Sequence, residues 1–127
     1  MLYSIEQERY IDRVPHESLY KAWIKEMTEV EKRFIFEKLN SMIDSDEIHT
    51  SSWMPGNDWT GTVFLPIYAK ACHQDESAAA MCFGLIVWDV LMRREDVWGF
   101  GRYFEGKNTV GGMTYFRLHN PPPRGDK

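Results

Sequence analysis

Polar and apolar positions divide the chain into stretches of different period. The longest apolar stretch is 77–94, SAAAMCFGLIVWDVLMRR, in which nothing polar interrupts Ala78–Trp88 and a single Asp89 precedes Val90, Leu91 and Met92. An element that is apolar all round has to be surrounded by the rest of the molecule. The run is longer than a strand and opens on three alanines, which predicts a helix. Asp75 and Glu76 at its start and Arg93 and Arg94 at its end suit the helix dipole, and Asp75 is a natural N-cap. Asp89 interrupts the run short of the ~18–20 apolar residues needed to span a bilayer. The expectation is therefore a buried central helix over 75–94.

The rest of the chain is patterned around that element. Ser4 and Gln7 stand at capping-box spacing, with Tyr3, Tyr10 and Val14 on one stripe, which predicts a short helix over 1–14. Leu19, Trp23 and Met27, with Tyr20 and Ile24 beside them, predict an amphipathic helix over 16–27, its outer face carrying Glu17, Lys21 and Lys25. Thr28 and Glu31 form a second capping box, so the chain restarts there as a helix to Ile43 with Val30, Phe34, Ile35, Leu39 and Met42 on its apolar stripe. Residues 44–58 lack any period and read as a loop. Residues 60–72 place Val63, Phe64, Ile67, Tyr68 and Ala71 on one helical face, although Pro66 leaves the start ambiguous. The short link to the next helix predicts an antiparallel pair.

Beyond residue 94 the period becomes that of strands. Val97–Phe104 and Gly112–Leu118 are aromatic and β-branched, with turn residues between them, and predict a two-stranded antiparallel hairpin over 97–118. Trp98, Phe100 and Phe104 share one face, while Gly99 and Gly101 leave a shallow strip on the other where a second element could come close. The segment 120–127, NPPPRGDK, cannot bury a core and reads as a flexible tail, leaving 1–119 as one domain. The class expected is α+β: four to five helices around the central one, with the hairpin laid against them.

Composition narrows the function classes. A length of 127 residues fits one domain, and 43% hydrophobic and 14% aromatic content with five tryptophans imply a core or interface rich in large rings. A net charge of −4 gives no general attraction to nucleic acid or anionic lipid. No signal-peptide pattern opens the chain, and the two cysteines make no disulfide framework, so a cytoplasmic location is the expectation.

Candidate chemistry is sparse. Asp44, Ser45, Asp46 and Glu47 resemble the start of a calcium loop, but an EF-hand needs an acid or amide at Ile48, glycine at His49 and glutamate at Pro55. Cys72, His73 and Cys82 lack metal-ligand spacing, and Cys82 lies in the most apolar stretch, where a thiol packs rather than reacts. No metal or other cofactor is expected. The stretch WGFGRYF at 98–104 departs from the RNA-binding strand pattern at Trp98 and Arg102. WMPGNDWTG at 53–61 brackets Asn57 and Asp58 with Trp53 and Trp59, either as a tryptophan-pinned loop over the core or as the rim of a pocket. Trp53, Asn57, Asp58, Trp59, Asp89 and Arg102 are thus the candidate ligand-binding residues. Trp98, Phe100, Tyr103 and Tyr115 are candidates for an interface. The leading functional expectation is a small cytosolic binding or interaction protein that presents an aromatic-rich surface as a homodimer, its partner being a second copy or another protein. The alternative is a small hydrolase-like enzyme or small-ligand binder with a pocket under the Trp53–Trp59 loop.

Overall fold

The computed structural model describes residues 1–54, 59–101 and 113–123. Within them the chain is a mixed α/β domain containing a five-stranded sheet of order β2-β1-β4-β5-β3. The strands are β1 (Leu2–Ser4), β2 (Arg9–Ile11), β3 (Glu47–His49), β4 (Trp98–Phe100) and β5 (Thr114–Arg117). The helices are α1 (Glu17–Lys25), α2 (Glu29–Met42), the single turn α3 (Thr50–Trp53) and α4 (Glu76–Arg93). A π-helical turn, Ile67–Ala71, precedes α4.

The expected lone hairpin is corrected to part of this sheet. β4 and β5 do pair antiparallel, Trp98 opposite Arg117 and Phe100 opposite Tyr115, but each has a further neighbour. β1 runs parallel to β4, with Leu2 opposite Trp98, and β3 adds to β5 with Ile48 opposite Tyr115. A two-stranded ribbon is marginal in water; three strands from elsewhere in the chain supply what it lacks.

The expected N-terminal helix is likewise two strands. Leu2 and Ser4 are buried while Tyr3 is only half-buried, a period of two. Ser4 Oγ accepts from the Gln7 amide at 3.1 Å, so the Ser-x-x-Gln spacing closes a turn rather than capping a helix. Glu8, at φ 54°, completes the reversal, and Tyr3 and Tyr10 meet edge to face at 5.1 Å across the pair.

The expected helix over 60–72 begins at Leu65 and passes at once into the π turn. Pro66, which has no amide hydrogen, stands in its first turn, one of the two starts the sequence allows, and the Cys72 amide reaches Ile67 O at 3.1 Å. His73 and Gln74 then take positive φ values of 50° and 66° to turn the chain into α4. Asp75 caps that helix by accepting the Ala78 amide at 3.1 Å.

α4 is buried continuously from Cys82 to Leu91. It packs on α1, α2, the π turn and β1, and Trp88 meets the Phe100 ring of β4 at 4.9 Å. The expected wrapping by helices with a hairpin laid against them is corrected in its β part: β1 and β4, strands of the five-stranded sheet, pack on this helix. Gly99 serves the sheet's packing: a Cβ there would lie 2.9 Å from the Phe116 ring and 3.3 Å from Leu118. The strip of space expected at this glycine is filled by the chain's own β5. Cys72 and Cys82 are both buried free thiols, and the bond to Cys72, followed by burial, pushes the Cys82 thiol up.

The C-terminal segment crosses back toward the N-terminus. Leu118 donates to Val97 O, and the Tyr10 hydroxyl donates to Pro122 O at 2.5 Å. No helix among the described residues is long and apolar enough to cross a membrane.

Candidate functional site

A cleft of about 680 Å³ opens between α1, α2 and α4. Helical periodicity builds it. Glu17, Tyr20, Lys21, Ile24 and Lys25 lie along one face of α1, spaced i, i+3, i+4, i+7 and i+8. Glu29, Lys32, Arg33 and Phe36 repeat that spacing on α2, and Asp89, Met92 and Arg93 do so at the end of α4. Asp12, Arg13 and Val14, which lead from β2 into α1, complete the lining. His16, at φ 52°, makes the bend that brings this segment to the mouth of α1.

The deepest polar group is Asp89, 5% exposed. Its Oδ2 accepts the Tyr20 hydroxyl at 2.8 Å and its Oδ1 accepts Arg93 Nε at 2.8 Å. Burial, and then the Asp89 charge, push the Tyr20 hydroxyl far above its ordinary range, so it stays a neutral donor. The bond to Asp89 in turn raises Arg93. A buried carboxylate is costly unless paired and hydrogen-bonded, and here both of its oxygens are engaged. Arg93 itself reaches outward: its side chain is 70% exposed, with Cζ 5.7 Å from the Phe36 ring centroid.

Charge gathers around this floor. Six cations line the cleft (Arg13, Lys21, Lys25, Lys32, Arg33 and Arg93) against four carboxylates (Asp12, Glu17, Glu29 and Asp89). The cleft is therefore two charges positive in a chain of net charge −4. Lys21 pairs with Glu17 at 3.8 Å and Lys32 with Glu29 at 2.7 Å. Arg13, Lys25 and Arg33 have no carboxylate partner among the described residues. Between the charges Ile24, Phe36 and Met92 are half-buried and leave apolar surface facing the space.

Of the described residues singled out from sequence, Asp89 alone lines this cleft. Trp53 ends α3 and is half-buried against the core. Trp59 is buried, stacked on Tyr68 at 6.1 Å and edge-on to Phe83 at 6.1 Å. Neither tryptophan lines the cleft. Asn57, Asp58, Arg102 and Tyr103 lie outside the described residues. Trp98, Phe100 and Tyr115, expected at an interface, are enclosed in the core. The reason is the position of β4 and β5 inside the sheet, with Trp88 against Phe100 and the Arg117 guanidinium 4.7 Å over the Trp98 ring.

Sequence reasoning missed most of the lining because Glu17, Lys21, Lys25 and Lys32 sit on what each helix alone presents as its solvent face. One signal was available: Tyr20 beside the apolar stripe of α1 and Asp89 within α4 are polar groups that need partners when buried.

Among the described residues no group of three metal-ligating side chains is assembled. Comparisons with protein-family models, with curated proteins and with solved structures found no match to this chain.

Proposed function

We propose that this chain is a small-ligand-binding domain whose ligand is an amphiphilic anion held in the cleft between α1, α2 and α4. The observation that carries the reading is the local excess of cations, three of them without a carboxylate partner among the described residues, beside the apolar surface of Ile24, Phe36 and Met92 in an otherwise acidic molecule. A local excess of positive charge raises the concentration of anions beside it. Pockets for small molecules combine apolar lining with a few fixed polar groups in the same way.

Binding is favoured over catalysis by the state of Asp89. Each of its oxygens already accepts one bond, from Tyr20 and from Arg93, and at 5% exposure the group offers a substrate little direct approach. The aromatic-surface reading has less support, since Trp98, Phe100 and Tyr115 are occupied in packing. The site proposed here also differs in place from a pocket under Trp53 and Trp59.

The test is a fluorescence titration of the folded protein with 1-anilinonaphthalene-8-sulfonate and with its uncharged relative N-phenyl-1-naphthylamine. The sulfonate is expected to bind more tightly, and the double substitution Lys25→Glu, Arg33→Glu to weaken it by about tenfold or more, ~1.4 kcal/mol. The uncharged probe should be little affected. Equal sulfonate binding to both proteins, or none to either, overturns the proposal.

A further inference from the structure

Tyr20 and Asp89 determine which hydrogen-bonding edge of Arg93, the cation joined to the cleft's buried carboxylate, remains for a ligand. Arg93 spends only Nε on Asp89; among the described residues its two terminal nitrogens have no partner. Asp89 holds the guanidinium at one edge, the Phe36 ring lies 5.7 Å from Cζ, and Tyr20 holds Asp89 from α1. A guanidinium fixed in this way presents a fork of parallel N–H donors, which matches the two coplanar oxygens of a carboxylate. The adjacent Asp89 charge opposes a second negative charge at the same place, so a monoanion suits the site better than a dianionic phosphate.

We propose that Arg93 selects the ligand of this cleft by receiving a carboxylate on its terminal nitrogens, with Tyr20 and Asp89 as its positioning residues. The ligand class is then an aryl or alkyl carboxylate whose apolar body rests on Ile24, Phe36 and Met92. This inference rests on the cleft being the ligand site, and it adds the identity of the head group and of the residue that reads it. Tyr20 and Asp89 lie 69 positions apart in the chain, so the pair ties α1 to α4 at the point where the head group is read.

The experiment is isothermal titration calorimetry of the wild-type chain, Arg93→Lys and Tyr20→Phe. The probes are 4-phenylbutyrate, 4-phenylbutylphosphonate and 4-phenylbutanol, which share one apolar body. Wild type is expected to bind the carboxylate about tenfold more tightly than the phosphonate or the alcohol. Arg93→Lys keeps the charge and removes the fork; it should lower the carboxylate-to-alcohol ratio by about threefold or more while leaving the attraction of the remaining cations. Tyr20→Phe should reduce the same carboxylate-to-alcohol ratio, whereas a purely structural role would leave that ratio unchanged. Alcohol affinity should change less than carboxylate affinity in both variants, and Arg93→Lys keeps a cation within reach of the buried Asp89. Unaltered carboxylate binding in Arg93→Lys, tighter binding of the phosphonate, or no carboxylate binding at all overturns the inference. If Lys25→Glu, Arg33→Glu weakens the sulfonate probe while Arg93→Lys changes nothing, the cleft stands and only the role of Arg93 falls. If both are without effect, the cleft reading falls as well.

Discussion

Asp96, in the connection between α4 and β4, is held well below the ordinary carboxylate range, at about 2. Burial acts to raise it, but the bidentate bond from Arg94 and the charges of Arg94 and Arg117 outweigh that. A carboxyl group whose folded pKa is depressed contributes stability that is fully present above its unfolded value. That stability is lost as pH falls through the folded value. Asp96 should therefore contribute about 2 kcal/mol at neutral pH, disappearing between about pH 4 and pH 2. Thermal melting as a function of pH checks this: Asp96→Asn should lower the neutral-pH stability and flatten the acid limb. Individual residues were legible from sequence to very different degrees. Asp89 drew attention as a lone acid on an apolar helix, and Arg93 stood one turn away. Tyr20, its other partner, was hidden because no local period connects positions in different helices.

At the level of elements, capping chemistry was readable only where the rest of the segment agreed with it. Thr28 and Glu31 form a true reciprocal box, the Glu31 amide donating to Thr28 Oγ1 at 3.1 Å and the Thr28 amide to Glu31 Oε1 at 2.9 Å. Thr28→Ala should cost about 1 kcal/mol, visible as a lower denaturation midpoint with an unchanged slope. Ser4 and Gln7 have equivalent spacing, yet the alternation of Leu2, Tyr3 and Ser4 makes that segment a strand and the serine a turn former. Gly99 was readable as a point of close approach, though not which element approaches. Gly99→Ala places a methyl against Phe116 and Leu118 and should cost about 1–3 kcal/mol in the same assay, the range for overpacking a filled site.

For the molecule as a whole, the sheet was the least legible feature. Its strands are only three or four residues long, and β1 and β3 are recruited from opposite sides of the two long amphipathic helices. Such pairings leave almost no trace in a local period; they depend on which surfaces the packed helices leave uncovered. β1 is the strand on which this arrangement depends, because it joins β2 to β4. Leu2 is fully buried, and Leu2→Ala should cost about 2–5 kcal/mol, as for a core leucine, despite standing next to the end of the chain. Melting temperature checks that figure against the few tenths expected of a frayed terminus. The brevity of the two outermost strands, β2 and β3, has a consequence for behaviour at high concentration. Each is only three residues long, and β2 carries Arg9 while β3 carries Glu47 and His49. A neighbouring molecule finds too short a template there to extend the ribbon, so the domain should resist stacking into fibrils while folded.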